Sequence, residues 1–251
     1  MTILCYHSVQ PDWTSPLAVD PTLFAKHCSW LARCRQVVPL EDAVDRLDVN
    51  GRLPRGVASL SFDDGFSEIY RHALPTLERY RLPATVFLVA ATLTAAGHRV
   101  DWVETPGSQA LTTLTREQIL EMQAAGVSFQ SHSWAHRDLT RLTFAECVSD
   151  LTESREFLSD LLARPVFLLA YPRGRHNARV RQAAARAGYR HAFGLPEQAE
   201  HPGRFAIPRV GVYHGNTTTT LRVKSSHAYL AMRTAPAFPA FQRIARQARR
   251  R

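Results

Sequence analysis

Val57-Ala-Ser-Leu-Ser-Phe-Asp-Asp-Gly65 sets a short, largely apolar run directly against two carboxylates and a glycine. An apolar run of this length, bounded by a turn signal, reads as a buried strand. The same grammar recurs on both sides of it. Apolar runs at 3–6, 36–38, 84–90, 127–130, 166–170, 190–193 and 206–212 alternate with amphipathic stretches at 21–33, 40–47, 68–80, 115–125, 143–162 and 178–187. Several stretches carry helix punctuation: Asp20 or Pro21 opens the first, Thr115-Arg-Glu-Gln118 resembles a capping box, and Gly126 and Gly188 fall where C-terminal glycines belong. Strand–helix alternation predicts an α/β fold with a parallel sheet, and seven or eight strands suit a barrel better than an open sheet.

In such a barrel the functional groups gather at the C-terminal ends of strands. The sequence meets that test five times. His7 follows the 3–6 run, Asp63-Asp64 follow 57–62, His132 follows 127–130, Pro172-Arg173-Gly174 follow 166–170, and His214 comes just after 206–212.

The bulk properties bound the reading. With 251 residues, 45% hydrophobic and 21% charged, the chain can build one sizeable core, and no Gly/Ser- or Pro-rich linker divides it. We expect one barrel domain over 1–215 and a C-terminal extension over 216–251. The net charge of +9 is carried mainly by arginines late in the chain. A basic surface favours polyanions or anionic membranes, but its plainer reading is a solvated face. No aromatic-interleaved motif accompanies the charge, so no nucleic-acid partner is expected. Cys5, Cys28, Cys34 and Cys147 form no C-x-x-C pair and read as free thiols in a reducing compartment. No signal peptide is visible and no apolar stretch approaches the roughly 20 residues of a spanning helix. The expectation is therefore a soluble, cytoplasmic protein. From Phe238 onward, Phe241, Ile244, Ala245 and Ala248 fall on one helical face among arginines. That end is either a charged tail or a peripheral contact with an anionic membrane at the inner face.

Two constellations carry chemistry. Adjacent residues of an extended segment point to opposite sides, so Asp63 and Asp64 need different partners: one for a metal, the other as a base facing substrate. The plain alternative is an Asp-Gly turn with a helix N-cap. Ser131-His132-Ser133-Trp134-Ala135-His136 supplies two imidazoles four apart. A carboxylate joining two histidines gives a three-ligand site with open positions, the pattern of catalytic metal centres.

Ser-Phe-Asp63-Asp64-Gly, Ser-His132-Ser-Trp-Ala-His136 and Ala-Tyr-Pro172-Arg-Gly, in this order, resemble the first three motifs of the polysaccharide deacetylase family, the NodB-homology domain of carbohydrate esterase family 4. The similarity runs from about Ile3 to about Val212. The opening Leu4-Cys-Tyr-His-Ser-Val9 resembles a permuted branch that includes poly-N-acetylglucosamine deacetylases, in which the motif histidine arrives on the first strand.

The resemblance implies a distorted, seven-stranded (β/α) barrel that removes N-acetyl groups from an N-acetylated sugar, polysaccharide or lipid-linked glycan. It implies Asp64, His132 and His136 as ligands of a divalent metal, usually Zn2+, with Co2+, Ni2+ or Mn2+ as alternatives. Asp63 would be the general base, His7 the general acid, and the backbone N–H of Arg173 a donor to the oxyanion. Two positions depart from the pattern: Ala170 stands where an arginine is common, and Arg173 where tyrosine is usual. Arg173 makes the sugar contact cationic, which would favour an anionic substrate. Arg209 either replaces the missing arginine and orients Asp63 or is an ordinary strand-end residue. Trp134, Tyr171, Pro172 and Arg209 are the remaining substrate-contact candidates, and Trp102 a further one by stacking. Two rival readings stay open: an O-acetyl esterase and a catalytically silent carbohydrate-binding barrel.

Overall fold

In the computed structural model, which describes residues 2–50, 56–103, 111–196 and 203–235, strands and helices alternate as the apolar pattern predicts. The elements are β1 (Thr2–Tyr6), β2 (Ser8–Val9), β3 (Ala18–Val19), α1 (Pro21–Cys34), β4 (Gln36–Val37), α2 (Leu40–Asn50), β5 (Val57–Phe62), α3 (Leu74–Tyr80), β6 (Ala84–Leu88), α4 (Arg116–Ala124), β7 (Ser128–Ser131), α5 (Phe144–Leu162), β8 (Leu168–Ala170), α6 (Ala178–Arg186), β9 (His191–Gly194), β10 (Ile207–Pro208), β11 (Val210–Gly211), α7 (Thr218–Lys224) and α8 (His227–Thr234). A π-helical turn, Ile69–Ala73, leads into α3.

Every ladder between these strands is parallel, in the order β10-β9-β8-β7-β6-β5-β1-β11, with β4 beside β5. The two ends of this path are neighbours in sequence, separated only by Arg209. Segment 207–211 therefore pairs with β9 through its first half and with β1 through its second, and closes the sheet into a barrel. The path has eight strand segments where seven were expected. The extra one comes from the break at Arg209, next to a proline that has no N–H to give the ladder.

The two sides of the barrel wall differ. Leu4, Tyr6, Leu60, Phe62, Val86, Leu88 and Phe129 join the helix-facing core, packed by α1, α3 and α5. Alternate residues point inward: Ile3, Phe87, Leu168, Phe193 and Ile207 fill the lower barrel. Above this apolar layer the inward positions turn polar: Cys5, Ser61, His132 and Arg209, all buried. The helices are locally well specified. Thr143 and Glu146 form a capping box on α5, and Cys147, Leu151, Ser154, Leu158 and Leu162 make its buried stripe. Thr115 and Gln118 form the anticipated box on α4, and Asp20 caps α1 with Pro21 in its first turn. Beyond the barrel, Leu221 of α7 is buried, and Thr2 Oγ1 donates to Ser225 O at 3.0 Å. The arginine-rich tail from Phe238 lies outside the described residues. No helix among those described is long and apolar enough to cross a membrane.

Candidate active site

Strict strand alternation would send Asp64 to the opposite side of the wall from Asp63. The backbone prevents this. Asp64 has φ 70°, in the left-handed region, and turns its carboxylate back over the barrel mouth. Gly65 follows with φ +65°, where a Cβ would come within 2.8 Å of the Leu88 side chain, so only glycine continues the turn without a clash. Both carboxylates consequently approach one histidine: His132 Nε2 lies 4.0 Å from Asp63 Oδ2 and 3.7 Å from Asp64 Oδ1. Their other contacts differ. Asp63 faces Arg209, while Asp64 faces His136 and Trp102.

The histidine pair is delivered by a loop rather than a helical turn. Ser133 and His136 have φ of 71° and 54°, which curl the chain so that His136 Nε2 comes 3.4 Å from Asp64 Oδ1. Asp150 of α5 holds that curl, accepting the Trp134 N–H at 2.9 Å and Arg137 Nη2 at 3.0 Å. His132 Nδ1–H donates to Ala170 O at 2.8 Å, which leaves the Nε2 lone pair pointing at the carboxylates. The small side chain of Ala170 thus occupies the place of the expected arginine, and its carbonyl orients a ligand.

Three ligand atoms, from Asp64, His132 and His136, lie within 4.8 Å of one another, all on buried residues. In a tetrahedral site with donors about 2.0–2.1 Å from an ion, neighbouring donors sit about 3.4 Å apart. The distances to Asp64 Oδ1 of 3.4 and 3.7 Å match that edge. The electrostatics also fit a cation. Burial lowers both imidazoles, His136 to about 2, so each is held in its neutral ligand form. Burial first, and Asp63 next, push the Asp64 carboxyl up to about 8, despite the Trp102 hydrogen bond. With Asp63 matched by Arg209, a divalent ion would take the place of the proton that burial holds on Asp64. Donor set, spacing and charge therefore fit a transition-metal centre.

Asp63 is set differently. Arg209 Nη1 and Nη2 donate to its two oxygens at 2.6 and 2.7 Å, a bidentate pair with both residues buried. Burial by itself would raise the Asp63 carboxyl; Arg209, His132 and His7 outweigh it and hold the group below its ordinary range. Arg209 sits over the Phe87 ring at 5.3 Å, so the apolar layer beneath the site supports its guanidinium. His7 stands at the end of β1 with its ring stacked on Tyr213 at 6.4 Å. Burial, with Arg209 and His132, brings it down to about 4 against the pull of Asp63.

The remaining candidates separate. Arg173 has φ 59°, another left-handed residue at the rim, with an exposed side chain whose Nη2 lies 3.5 Å from Trp102 O. Tyr171 is fully buried, its hydroxyl donating to Phe205 O at 3.0 Å, and Pro172 is buried beside it. Trp134 is half-buried and packs edge-on against Phe157 at 5.6 Å. Arg209 is buried with both terminal nitrogens on Asp63, in a position to orient that carboxylate. His214 is exposed in a loop, its N–H donating to Pro16 O at 2.8 Å.

Trp102 takes a place that sequence spacing did not assign. Its Nε1–H donates to Asp64 Oδ1 at 2.9 Å and its ring stacks on His136 at 4.9 Å, so it braces two of the three side chains that would hold an ion. Cys5 is the other omission: its thiol donates to Asp63 Oδ2 at 3.3 Å. The signal for Cys5 was present, because it sits two residues before His7 on the same strand face. Trp102 had none, because it reaches the site from a loop.

Comparison with known proteins gives a concordant picture. Residues 50–192 match the family described as polysaccharide deacetylase. The Bacillus subtilis (strain 168) protein YxkH is 28% identical over 218 residues, covering 86% of this chain and 72% of YxkH. The poly-beta-1,6-N-acetyl-D-glucosamine N-deacetylase of Staphylococcus aureus (strain MRSA252) is 26% identical over 171 residues, which cover 64% of this chain and 56% of that enzyme. Among solved structures, the Streptococcus pyogenes deacetylase PplD in complex with acetate aligns with a TM-score of 0.77 and 26% identity, over 90% of this chain and 98% of PplD.

Proposed function

The chain belongs to the polysaccharide deacetylase family, and we propose from that premise that it is a metal-dependent hydrolase removing N-acetyl groups from an amino-sugar glycan. The observation that carries the reading is the pairing of two unlike carboxylates at one strand end: Asp64 among two neutral imidazoles, and Asp63 locked by Arg209. Asp64, His132 and His136 would hold the ion, with zinc the favoured occupant for a carboxylate and two imidazoles. A divalent cation there supplies Lewis acidity, lowering the pKa of water to about 7 and polarising a carbonyl oxygen.

The chain's own groups do the rest. Asp63 stays ionised because Arg209, with His132 and His7, outweighs its burial, so it is ready to take a proton from the attacking water at Oδ2. Arg209 fixes the direction of that oxygen. The backbone N–H of Arg173, turned by its left-handed φ, is the donor we assign to the oxyanion. His7 is neutral at rest, so the proton it delivers to the departing nitrogen is the one Asp63 has taken. This relay needs no second proton source.

For substrate class we infer a polysaccharide or lipid-linked glycan rather than a free monosaccharide, since the named Staphylococcus aureus relative acts on a polymer. Arg173 adds a cation at the rim, and we expect it to favour glycans bearing a nearby anionic group. Replacing it by tyrosine should lower the ratio of kcat/KM on anionic over neutral acetylated glycans; an unchanged ratio would remove the charge from the argument. The low-lying His7 supports one second reading, an O-acetyl esterase, because an alkoxide leaves with less help from an acid than an amine does.

One assay separates these readings. Acetate release is measured from N-acetylated and O-acetylated glycans, before and after chelation and zinc restoration, beside metal analysis of the protein. Release from N-acetylated glycan that chelator abolishes and zinc restores is expected. Bound metal without release from any substrate would favour a binding barrel.

A further inference from the structure

Asp63 has a second face. Cys5 Sγ, an imidazole nitrogen of His7 and a carboxylate oxygen of Asp63 lie within 4.8 Å of one another, and none of the three belongs to the Asp64–His132–His136 set. All three residues are buried; the His7 ring is 9% exposed, and its Nδ1 has no hydrogen-bond partner among the described residues. Strand geometry explains the grouping. Cys5 and His7 share the inward face of β1, which pairs in parallel with β5, Tyr6 opposite Phe62, so Asp63 emerges beside them.

One edge of the group has the length a metal site needs. A tetrahedral ion bonded to a thiolate at about 2.3 Å and a carboxylate oxygen at about 2.0 Å sets those two atoms about 3.5 Å apart. Cys5 Sγ and Asp63 Oδ2 already stand 3.3 Å apart. Arg209 Nη2 occupies one side of Oδ2 at 2.7 Å, and the thiol hydrogen occupies the other. An ion would take the place of that hydrogen, with Arg209 still steadying the carboxylate.

We infer that Cys5, His7 and Asp63 form a second, thiophilic cation site that takes excess zinc or, more strongly, cadmium, and so withdraws the base and the proton donor together. The inhibitory consequence rests on the function proposed above, whereas the site itself does not. On binding, the Cys5 S–H bond breaks, its electron pair stays on sulfur and is shared with the ion, and the proton passes to water. Nothing is oxidised or reduced. A thiolate ligand selects zinc and cadmium over magnesium and calcium.

The test uses the full chain carrying Cys34→Ser, which removes the exposed cysteine, loaded with one equivalent of zinc and titrated with cadmium. The readouts are the ultraviolet thiolate-to-cadmium charge-transfer band, the bound metal per chain, and the deacetylase rate. The band should saturate at one cadmium per chain while the rate falls. Adding Cys5→Ser keeps a hydroxyl to hold Asp63 but removes the soft ligand. The band should vanish, and inhibition relative to that variant's own rate should weaken by at least about 100-fold. His7→Gln should weaken cadmium binding as well, which covers a failure of the serine variant to fold. A band undiminished by Cys5→Ser, or cadmium bound without any band, would overturn the site. A band in a protein inactive on every glycan leaves the site standing and the function fallen; chelator-sensitive activity without a band does the reverse.

Discussion

The two ends of the barrel use the same residue types to opposite effect. At the far end, where the strands begin, Asp48 receives Arg204 at 3.0 Å, His191 at 3.0 Å and Arg190 at 3.5 Å, with Asp45 adding a second contact to Arg190 at 2.8 Å. These arginines are 49% and 59% exposed. At the opposite rim, the Asp63–Arg209 pair is 2% and 0% exposed. Water screens the first cluster, so its pairs contribute little. The second has no water to fall back on, and each partner depends on the other.

Backbone strain divides the same way. Six non-glycine residues among those described have positive φ. Arg81 and Ala163 merely end α3 and α5 in the usual left-handed cap. Asp64, Ser133, His136 and Arg173 lie at the rim. Such residues cost on the order of 1–3 kcal/mol each and persist where the surroundings over-determine them. At the rim the constraint converges on one point, the space between Asp64, His132 and His136. The contrast teaches that an ion pair points to a site when it is dry and strained residues surround it, and to solubility and packing when it is wet.

The sharpest way to break the comparison is Asp63→Asn. It should lower kcat by about 10²–10⁴-fold, the usual contribution of a general base. It should also destabilise the fold by about 3–5 kcal/mol, because Arg209 is left charged and buried. Activity assays and urea denaturation would read the two effects separately. Next comes Trp102→Phe, which keeps a ring on His136 but removes the hydrogen bond to Asp64. Zinc affinity, measured by competition with a chelating dye, should fall by about 10–100-fold, as for other partners that orient a ligand.

Arg209→Met sharpens the electrostatic side. Burial of Asp63 would then be opposed only by His132 and His7, and its pKa would rise. A base with a raised pKa is protonated, and idle, over more of the acid range. The acid limb of the kcat/KM profile should therefore move to higher pH, by about 1–3 units. If the limb stays where it is in the parent protein, Asp63 is not the group that limits activity in acid. The smallest effect is expected at the opposite end. Arg204→Ala should cost no more than about 1 kcal/mol and leave kcat/KM unchanged. A loss as large as that of Asp63→Asn would erase the distinction between the two ends.

Much of this architecture was legible in the chain before it was folded. The alternation of apolar runs with capped amphipathic stretches named the strands and helices, because each element declares its own period locally. The motif residues were legible too, since strand ends are where a parallel barrel exposes side chains. Closure was not legible. It depends on residues 207–211 pairing with β9 and β1 at once, a relation between segments that lie nearly the whole chain apart.

The site divides along the same line. By itself, the sequence determined that two carboxylates and two histidines stand at strand ends in motif order, and that glycine follows the carboxylates. Only the tertiary structure decided their surroundings. It turned Asp64 back toward His136 through a left-handed φ, set Arg209 rather than Ala170 beside Asp63, and brought Trp102 and Cys5 against the two carboxylates. The reason is physical: a residue's type and local period are written in the chain, but its charge state and direction follow from what burial leaves around it.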